Sequence, residues 1–219
     1  MLHPIETHSL MIPLESVTLE GDLHIPKWAT GIVVFVHGSG SSRKSPRNQL
    51  VAQTLNRAGL ATLLFDLLTM QEESIDFITA EYRFDIPLLT RRLIEVSDWL
   101  MECNETKGLN IGYFGASTGA AAALLAAAER SELIKAVVSR GGRADLAEKG
   151  LMHVQAPTLL IVGGQDDLVI QMNESAFEEL ICVKQLLIIP EATHLFDEPG
   201  KLEEVAKAAT DWFQNYLMT

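Results

Sequence analysis

Six short, continuous apolar runs constrain the fold of this sequence more than any other feature. In chain order they are GIVVFVHG, ATLLFDL, NIGYFGA, KAVVSRG, PTLLIVGG and QLLIIPE. Continuous apolar runs are typical of strands in a parallel sheet, because helices cover both faces of such a sheet. Helical patterns separate the runs, and this alternation predicts an α/β protein with a doubly wound, mostly parallel sheet and helices on both faces.

Two segments show the three- and four-residue steps of an amphipathic helix. One follows a possible Asp85 cap and has Pro87 in its first turn, where proline is favoured. Its apolar positions are Ile86, Leu89, Leu93, Val96 and Leu100, and those of the C-terminal segment are Leu202, Val205, Ala206, Ala209, Trp212, Phe213 and Tyr216. A third run, Gly119 to Ala128, is too short to span a membrane and too rich in alanine for a strand, so it predicts a buried helix.

Two stretches lie outside this alternation. The stretch ESVTLEGDLHIP, residues 15–26, predicts an antiparallel hairpin at an edge of the sheet. Residues 68–84 show no regular pattern, and we expect them to be irregular and to fold over one end of the sheet. We expect their acidic side chains to be solvated rather than catalytic; these are Glu72, Glu73, Asp76 and Glu81.

Length, charge and cysteine content restrict the class of protein. The 219 residues, of which 47% are hydrophobic, predict one domain over residues 1–219 with a substantial core. A net charge of −12 repels polyanions, so neither nucleic acid nor an anionic membrane is an expected partner. The N-terminus lacks the pattern of a secretory leader, which predicts a cytoplasmic protein. Cys103 and Cys182 have no metal-type or redox-type spacing, and we expect no metal and no cofactor. The oligomeric state stays open.

The pentapeptide GASTG, Gly115 to Gly119, carries the strongest chemical signal. It matches G-x-S-x-G and lies between a predicted strand and the alanine-rich helix. A serine on a sharp strand-to-helix turn needs small neighbours, because only then does the strained backbone fit and its Oγ project at the helix N-terminus. We therefore predict that Ser117 is a nucleophile.

A histidine and an acid follow Ser117 at the ends of later strands, where open parallel sheets bind their ligands. His194 is predicted to be the general base, since imidazole exchanges protons near neutral pH. Asp166 is predicted to orient His194, although the sequence leaves the neighbouring Asp167 open. His37 lies beside the first loop of the sheet, where a structural role is expected.

The motifs HGSG, GASTG, GGQDDLV and ATHLF stand in the order expected of the α/β-hydrolase superfamily, which the sequence resembles over most of its length. Its compact size resembles the dienelactone-hydrolase-like branch, which includes serine proteins fused to phosphoribosyltransferase domains. The resemblance implies an α/β-hydrolase fold without a large lid domain, and the spacing G-x-x-D-x-x-V favours Asp166 as the acid. Dienelactone hydrolases proper carry cysteine where this chain has Ser117, so we expect ordinary carboxylic ester chemistry here.

The stretch FVHGSGSSRKSPRN admits two interpretations. It is one substitution away from the phosphate loop G-x-x-x-x-G-K-[ST], and it departs from that motif at Arg43, where a phosphate cradle needs glycine. The resemblance instead implies an oxyanion hole, formed by the Thr118 N–H and by the N–H of Ser39 or Gly40.

Basic side chains near the predicted strand ends suggest a preference for anionic substrates. Arg43, Arg140 and Arg143, together with Lys44, are predicted either to form a rim that selects a carboxylate or phosphate or to be solvated surface residues. The expected function is hydrolysis of a small-molecule ester, thioester or lactone through an acyl-enzyme. The alternatives are a non-catalytic binding protein of the same fold and a nucleotide-binding protein that uses residues 38–45.

Overall fold

The computed structural model describes residues 8–218, and an eight-stranded sheet forms its centre. The strands are β1 (His8–Pro13), β2 (Thr18–His24), β3 (Gly31–Val36), β4 (Ala61–Phe65), β5 (Asn110–Ala116), β6 (Ile134–Arg140), β7 (Thr158–Gly163) and β8 (Lys184–Ile189). They stand in the order β1-β2-β4-β3-β5-β6-β7-β8. β2 is antiparallel to both of its neighbours, and all other neighbouring strands are parallel. The six apolar runs are β3 to β8, which confirms the predicted doubly wound sheet.

Helices cover both faces of this sheet. They are α1 (Pro46–Arg57), α2 (Met70–Thr79), α3 (Ile86–Glu102), α4 (Thr118–Glu129), α5 (Asp167–Glu179) and α6 (Lys201–Leu217). A 3₁₀ segment, Ala144–His153, is kinked at Glu148. The predicted helices after Asp85, after Ser117 and at the C-terminus are α3, α4 and α6.

Alternate residues of the central strands face opposite layers, because successive side chains of a strand point to opposite faces. In β3, Val33 and Phe35 pack with α1 and α6, whereas Val34 and Val36 pack in the layer of α3 and α4. The strands are therefore buried on both sides, which explains their continuous apolar sequences.

The edge hairpin exists, but its residues differ from the prediction. β1 pairs with β2, and the Leu14 N–H donates to the Val17 carbonyl oxygen at 2.8 Å in the turn between them. The stretch 15–26 therefore contributes the second strand of the hairpin only. β1 lies at the edge of the sheet and buries a single residue, Ile12, so its sequence carries little of the apolar pattern used to recognise strands.

The prediction that residues 68–84 are irregular is wrong, because they contain α2. Thr69 and Glu72 form a reciprocal capping box at its first turn. Two of the acidic residues are also not solvated as predicted: Asp76 is buried against Arg83, and Glu72 pairs with Arg92 at 2.5 Å. Capping and ion pairing, rather than an apolar stripe, stabilise this helix, and hydrophobic periodicity does not detect either of them.

Candidate active site

Ser117 occupies a sharp turn between β5 and α4. Its φ of 50° and ψ of −123° lie in a region that non-glycine residues rarely adopt. A Cβ at Gly119 would lie 2.2 Å from the Val36 carbonyl oxygen, and one at Gly115 would lie 2.5 Å from Ala120 Cα. The two glycines of the motif are therefore required by close backbone approach, as the sequence predicted.

Hydrogen bonds join this turn to the end of β6. The Ser117 N–H donates to the Arg140 carbonyl oxygen at 3.2 Å, and the Arg143 N–H donates to the Ser117 carbonyl oxygen at 2.9 Å. On the other side, a Cβ at Gly38 would lie 2.9 Å from Ser117 Cβ, so the loop after β3 packs directly against the turn. The strained conformation of Ser117 is thus held from both sides.

His194 and Asp166 are brought together from two loops. His194 lies between β8 and α6, Asp166 directly precedes α5, and the His194 Nδ1 lies 2.6 Å from Asp166 Oδ2. Because a carboxylate only accepts, His194 Nδ1 is the donor in this hydrogen bond. The acid that contacts His194 is therefore Asp166 and not Asp167, which is the first residue of α5.

The His194 ring also packs against the end of β6. Gly141 has a φ of 51°, and a Cβ there would lie 3.4 Å from His194 Cε1. Ser117 and His194 therefore contact the same short segment at one end of the sheet. Within residues 8–218 the Ser117 hydroxyl makes no hydrogen bond to His194, and catalytic hydrogen bonds of this kind often form only when substrate is bound.

The residues predicted for the oxyanion hole lie beside Ser117. Thr118 is the first residue of α4, where backbone N–H groups have no intrahelical acceptor. The Ser39 N–H, however, donates to the Thr118 hydroxyl at 2.9 Å, an interaction that the sequence did not predict. Gly40 is exposed and has a φ of 68°. Of the two alternatives for the second donor, the Ser39 amide already has an acceptor within the protein.

His37 is buried and has a structural role, as predicted. Its Nε2 accepts a hydrogen bond from the Leu67 N–H at 3.0 Å, and its Nδ1 lies 2.9 Å from the Gly38 carbonyl oxygen. Burial holds the pKa of His37 below its ordinary value. The neutral ring therefore connects the loops that follow β3 and β4.

A cavity of about 810 Å³ opens between the loop after β3 and α2. Gly38 and Ser39, which contact the Ser117 turn, form its border with the site. One wall is polar and includes Ser42, Lys44 and Arg47. The remaining lining is mixed: its apolar residues are Leu67, Leu68, Met70, Phe77 and Leu89, and its polar residues are Glu73, Ser74, Asp76 and Arg83. The cavity therefore lies beside the Ser117 turn.

The structure gives Arg43 and Lys44 partners that argue against the predicted basic rim. The Arg43 guanidinium forms ion pairs with Glu20, Asp22 and Asp66, and Lys44 Nζ lies 2.6 Å from Asp22 Oδ2. The carboxylates come from β2 and from the end of β4, which only the tertiary fold brings to this loop. Both cations are thus engaged by the protein, and this also argues against their use in a phosphate cradle.

Arg143 and Arg140 differ from each other as well. Arg143 is half-buried and donates to both carboxylate oxygens of Asp145, at 2.9 and 2.8 Å. Arg140 is buried, and its Nε and Nη1 have no hydrogen-bond partner among residues 8–218. Burial, aided by the nearby Arg47 charge, lowers the pKa of Arg140 to about 10. Of the three arginines predicted for the rim, Arg43 and Arg143 form ion pairs, whereas Arg140 forms none among residues 8–218.

Two further features of the described residues bear on function. Between residues 8 and 218, no helix combines the length and the hydropathy needed to cross a membrane. Over the same range, no cluster of histidine, cysteine, aspartate and glutamate side chains could hold a metal ion.

Comparisons with known proteins agree with this architecture. Two Mycobacterium tuberculosis proteins, provisionally named as phosphoribosyl transferases, are 52% identical over 214 residues, which cover 98% of this chain and 47% of theirs. The chain thus spans about half the length of these curated relatives. A crystal structure of a dienelactone hydrolase from Anabaena variabilis has 58% identity and a TM-score of 0.97, over 98% of this chain and 100% of that chain.

A more distant structure shares the fold. An esterase from Pyrococcus furiosus has 18% identity and a TM-score of 0.78, over 97% of this chain and 92% of its own. The model of the dienelactone hydrolase family matches residues 19–219, which is nearly the whole chain. Together with the sheet order and the strained serine turn, this match shows that the chain belongs to the dienelactone hydrolase family.

Proposed function

We propose that this chain is a serine hydrolase that cleaves small carboxylic esters, thioesters or lactones through an acyl-enzyme. Ser117, His194 and Asp166 are its triad, and residues 1–219 act as one domain without a cofactor or metal. The observation that carries the proposal is the 2.6 Å contact between His194 and Asp166, which lies at the same end of the sheet as the strained Ser117 turn. Serine, where dienelactone hydrolases proper have cysteine, favours ordinary esters over dienelactone.

The proposed first step is attack of the Ser117 Oγ on the substrate carbonyl carbon. His194 Nε2 takes the hydroxyl proton and returns it to the leaving alcohol or thiol, which leaves an acyl group on Ser117. Asp166 holds the ring through Nδ1 and stabilises the imidazolium that forms. Water, activated by the same histidine, then hydrolyses the acyl-enzyme and restores Ser117.

The tetrahedral intermediate needs donors for its negative oxygen. The Thr118 N–H, at the positive end of α4, is the first proposed donor, and the second comes from Gly40 or from Ser39. Since the Thr118 hydroxyl already binds the Ser39 amide, Gly40 is the donor with the fewer competing contacts. One such donor typically stabilises the transition state by about 3–4 kcal/mol.

The proposal is tested with the Ser117→Ala variant. Hydrolysis of p-nitrophenyl acetate should fall by at least about 10³-fold, because the nucleophile is removed, while the urea midpoint stays close to that of the wild type. A fluorophosphonate probe should label the wild type at Ser117 and leave the variant unlabelled. Equal turnover by the two proteins would refute the triad.

Turnover, labelling and ATP binding of the wild type together separate the alternatives. A non-catalytic binding protein would show neither turnover nor labelling, and a nucleotide-binding protein would bind ATP in the presence of magnesium. A panel of esters, thioesters and lactones, dienelactone included, then identifies the acyl and leaving groups. The names of the Mycobacterium tuberculosis relatives belong to proteins about twice as long, and we do not propose phosphoribosyl transfer for this chain.

A further inference from the structure

One peptide group beside the Ser117 turn is hydrogen-bonded to a side chain at each of its two ends. The Gly38 carbonyl oxygen lies 2.9 Å from His37 Nδ1. The N–H of the same peptide group belongs to Ser39 and donates to the Thr118 hydroxyl at 2.9 Å. This group, the 38–39 peptide, is also crowded, because a Cβ at Gly38 would lie 2.9 Å from Ser117 Cβ. The fold therefore holds it in one orientation next to the proposed nucleophile.

The tautomer of His37 is fixed by the second hydrogen bond of its ring. The Leu67 N–H donates to His37 Nε2 at 3.0 Å, so Nε2 carries no proton and Nδ1 is the donor to the Gly38 carbonyl oxygen. Arg92, which is buried, donates from Nη1 to the Leu67 carbonyl oxygen at 2.7 Å and so holds residue 67 in place. Burial lowers the pKa of His37 and favours the neutral ring. The fold thus supplies a constant donor to the 38–39 peptide.

The 38–39 peptide opens a tight turn that contains an unused backbone donor. The Ser41 N–H donates to the Gly38 carbonyl oxygen at 3.2 Å, and Gly40, at the third position of the turn, has a φ of 68°. A positive φ at this position is typical of a type II turn and favours glycine. The Gly40 N–H has no acceptor among residues 8–218. Because the turn is closed, the orientation of the 38–39 peptide determines the direction of this free N–H.

Thr118 joins this turn to the proposed nucleophile. It is the first residue of α4, it is 4% exposed, and its own N–H is the first proposed donor to the oxyanion. Its hydroxyl binds the Ser39 N–H, so a single residue connects both sides of the proposed oxyanion hole. Donors stabilise a developing oxyanion best when they are held in place before the charge forms. The Thr118 hydroxyl is suited to this task.

We propose that Thr118, through its hydroxyl, and His37 are positioning residues that hold the 38–39 peptide and thereby orient the Gly40 N–H towards the oxyanion of the transition state. This inference rests on the proposed function and adds two side chains to it. Neither side chain has to touch the substrate. Since the orientation matters only once charge develops on the carbonyl oxygen, its loss should lower kcat and leave KM nearly unchanged.

The first test replaces the Thr118 hydroxyl by a methyl group of similar size. In Thr118→Val, kcat for p-nitrophenyl acetate should fall about tenfold at nearly unchanged KM, because the Ser39 N–H loses its acceptor. Thr118→Ser keeps the hydroxyl and should retain kcat within about threefold of the wild type. The control is Thr90→Val in α3. Thr90 is also 4% exposed, its hydroxyl donates to the Ile86 carbonyl oxygen at 2.8 Å, and its replacement should leave kcat unchanged.

Amide hydrogen exchange tests the same hydrogen bond without turnover. The Ser39 amide should be protected in the wild type, in Ser117→Ala and in Thr118→Ser, and it should exchange at least about tenfold faster in Thr118→Val. The Gly40 amide should exchange rapidly in all four proteins, because it has no acceptor among residues 8–218. A protected Gly40 amide would contradict its role as a free donor.

A double variant tests whether the two side chains act on the same peptide group. His37→Leu removes the donor to the Gly38 carbonyl oxygen and should lower kcat by about tenfold. Combined with Thr118→Val, it should cost little more than the larger single loss, because either change already releases the 38–39 peptide. His37→Asn, whose amide donates in place of Nδ1, should recover part of the loss. If the His37 variants did not fold, the Thr118 variants and the exchange rates would decide the question.

Four results would overturn the positioning role. These are an unchanged kcat in Thr118→Val, an equal fall in Thr118→Ser, a rise in KM alone, and independent losses that multiply in the double variant. If the wild type is active and Thr118→Val is equally active, the positioning role fails and the proposed function stands. If the wild type shows neither turnover nor fluorophosphonate labelling, the proposed function fails. Protection of the Ser39 amide would then reflect a purely structural bond, and the positioning role would fail as well.

Discussion

Arg43 and Arg140 are the same residue type in opposite surroundings. Arg43 is held by three carboxylates, Glu20, Asp22 and Asp66, whereas Arg140 has no hydrogen-bonded acid among residues 8–218. Burial alone would lower the pKa of Arg43, but these carboxylates, Asp66 above all, raise it. Burial lowers the pKa of Arg140 to about 10, since nothing comparable opposes it.

The difference lies in the ion pairs: Arg43 is paired with carboxylates of the fold, and Arg140 is not paired among residues 8–218. Arg43 lies in the loop after β3 and Arg140 is the last residue of β6. Both were expected to belong to the predicted basic rim. Arg43 supplies the charge that allows acidic residues of β2 and β4 to approach one another. Arg140 has two nitrogen donors, Nε and Nη1, that no residue between 8 and 218 engages.

The largest effect on stability is expected for Arg43→Met. Among residues 8–218, the substitution leaves Asp22 paired with Lys44 and leaves Glu20 and Asp66 without an ion pair. We expect the free energy of unfolding to fall by about 3 kcal/mol, because removing one partner leaves partly buried charges uncompensated. Urea unfolding at pH 7 measures this change. Arg43→Lys, which keeps the charge but not the fork, should lose less, and a neutral result for Arg43→Met would break the comparison.

Arg140→Met should have a smaller effect of the opposite sign. In Tris chloride without carboxylate or phosphate, we expect the free energy of unfolding to rise by about 1–2 kcal/mol, because a buried, unpaired charge is replaced by an apolar side chain. Urea unfolding again provides the measurement. A loss of stability in this buffer would mean that Arg140 serves the fold in the way Arg43 does.

The difference in the free energy of unfolding between Arg140→Met and the wild type should depend on pH. Burial lowers the pKa of Arg140 to about 10 on folding, so above this pH the folded protein binds fewer protons than the unfolded chain. Stability of the wild type therefore rises with pH above this value relative to Arg140→Met. The gap between the two proteins should be fully present below about pH 10 and should narrow above it; a constant gap would contradict the role of charge.

The smallest effect is expected for Arg143→Gln. Its pair with Asp145 is half-exposed, with side chains 35% and 28% accessible, and such pairs contribute about 0.5 kcal/mol or less. The backbone bond from Arg143 to Ser117 is retained, so hydrolysis of p-nitrophenyl acetate should not change. A loss of activity that is selective for esters carrying a carboxylate would return Arg143 to the predicted rim.

Local sequence predicted the frame of the site. The apolar runs identify β3 to β8 because burial on both faces leaves a continuous pattern, and GASTG identifies the turn because close backbone approach demands its glycines. His194 and an acid, Asp166 or Asp167, were expected from their positions after strands that end at one edge of the sheet. The family spacing favoured Asp166, which is the acid that contacts His194. These features depend on a few neighbouring residues and on the order of the elements.

The missed features depend on contacts between distant parts of the chain. The partners of Arg43 come from residues 20, 22 and 66, and no local pattern connects them to the loop. The bond from Ser39 to the Thr118 hydroxyl spans 79 positions. The helix α2 buries Asp76 and exposes apolar side chains such as Phe77 and Ile78, so it has no buried apolar stripe that periodicity could detect.

The turn at Ser117 restricts how the chemistry of this protein can change. Exchange of the Ser117 oxygen for sulfur adds no atom to the crowded backbone, so the nucleophile of the cysteine enzymes in this family is one substitution away. A single methyl group at Gly119, by contrast, would lie 2.2 Å from the Val36 carbonyl oxygen and would force β3 and α4 apart. The side-chain oxygen at position 117 can therefore be exchanged without disturbing the backbone, whereas Gly119 cannot be replaced without moving β3 and α4.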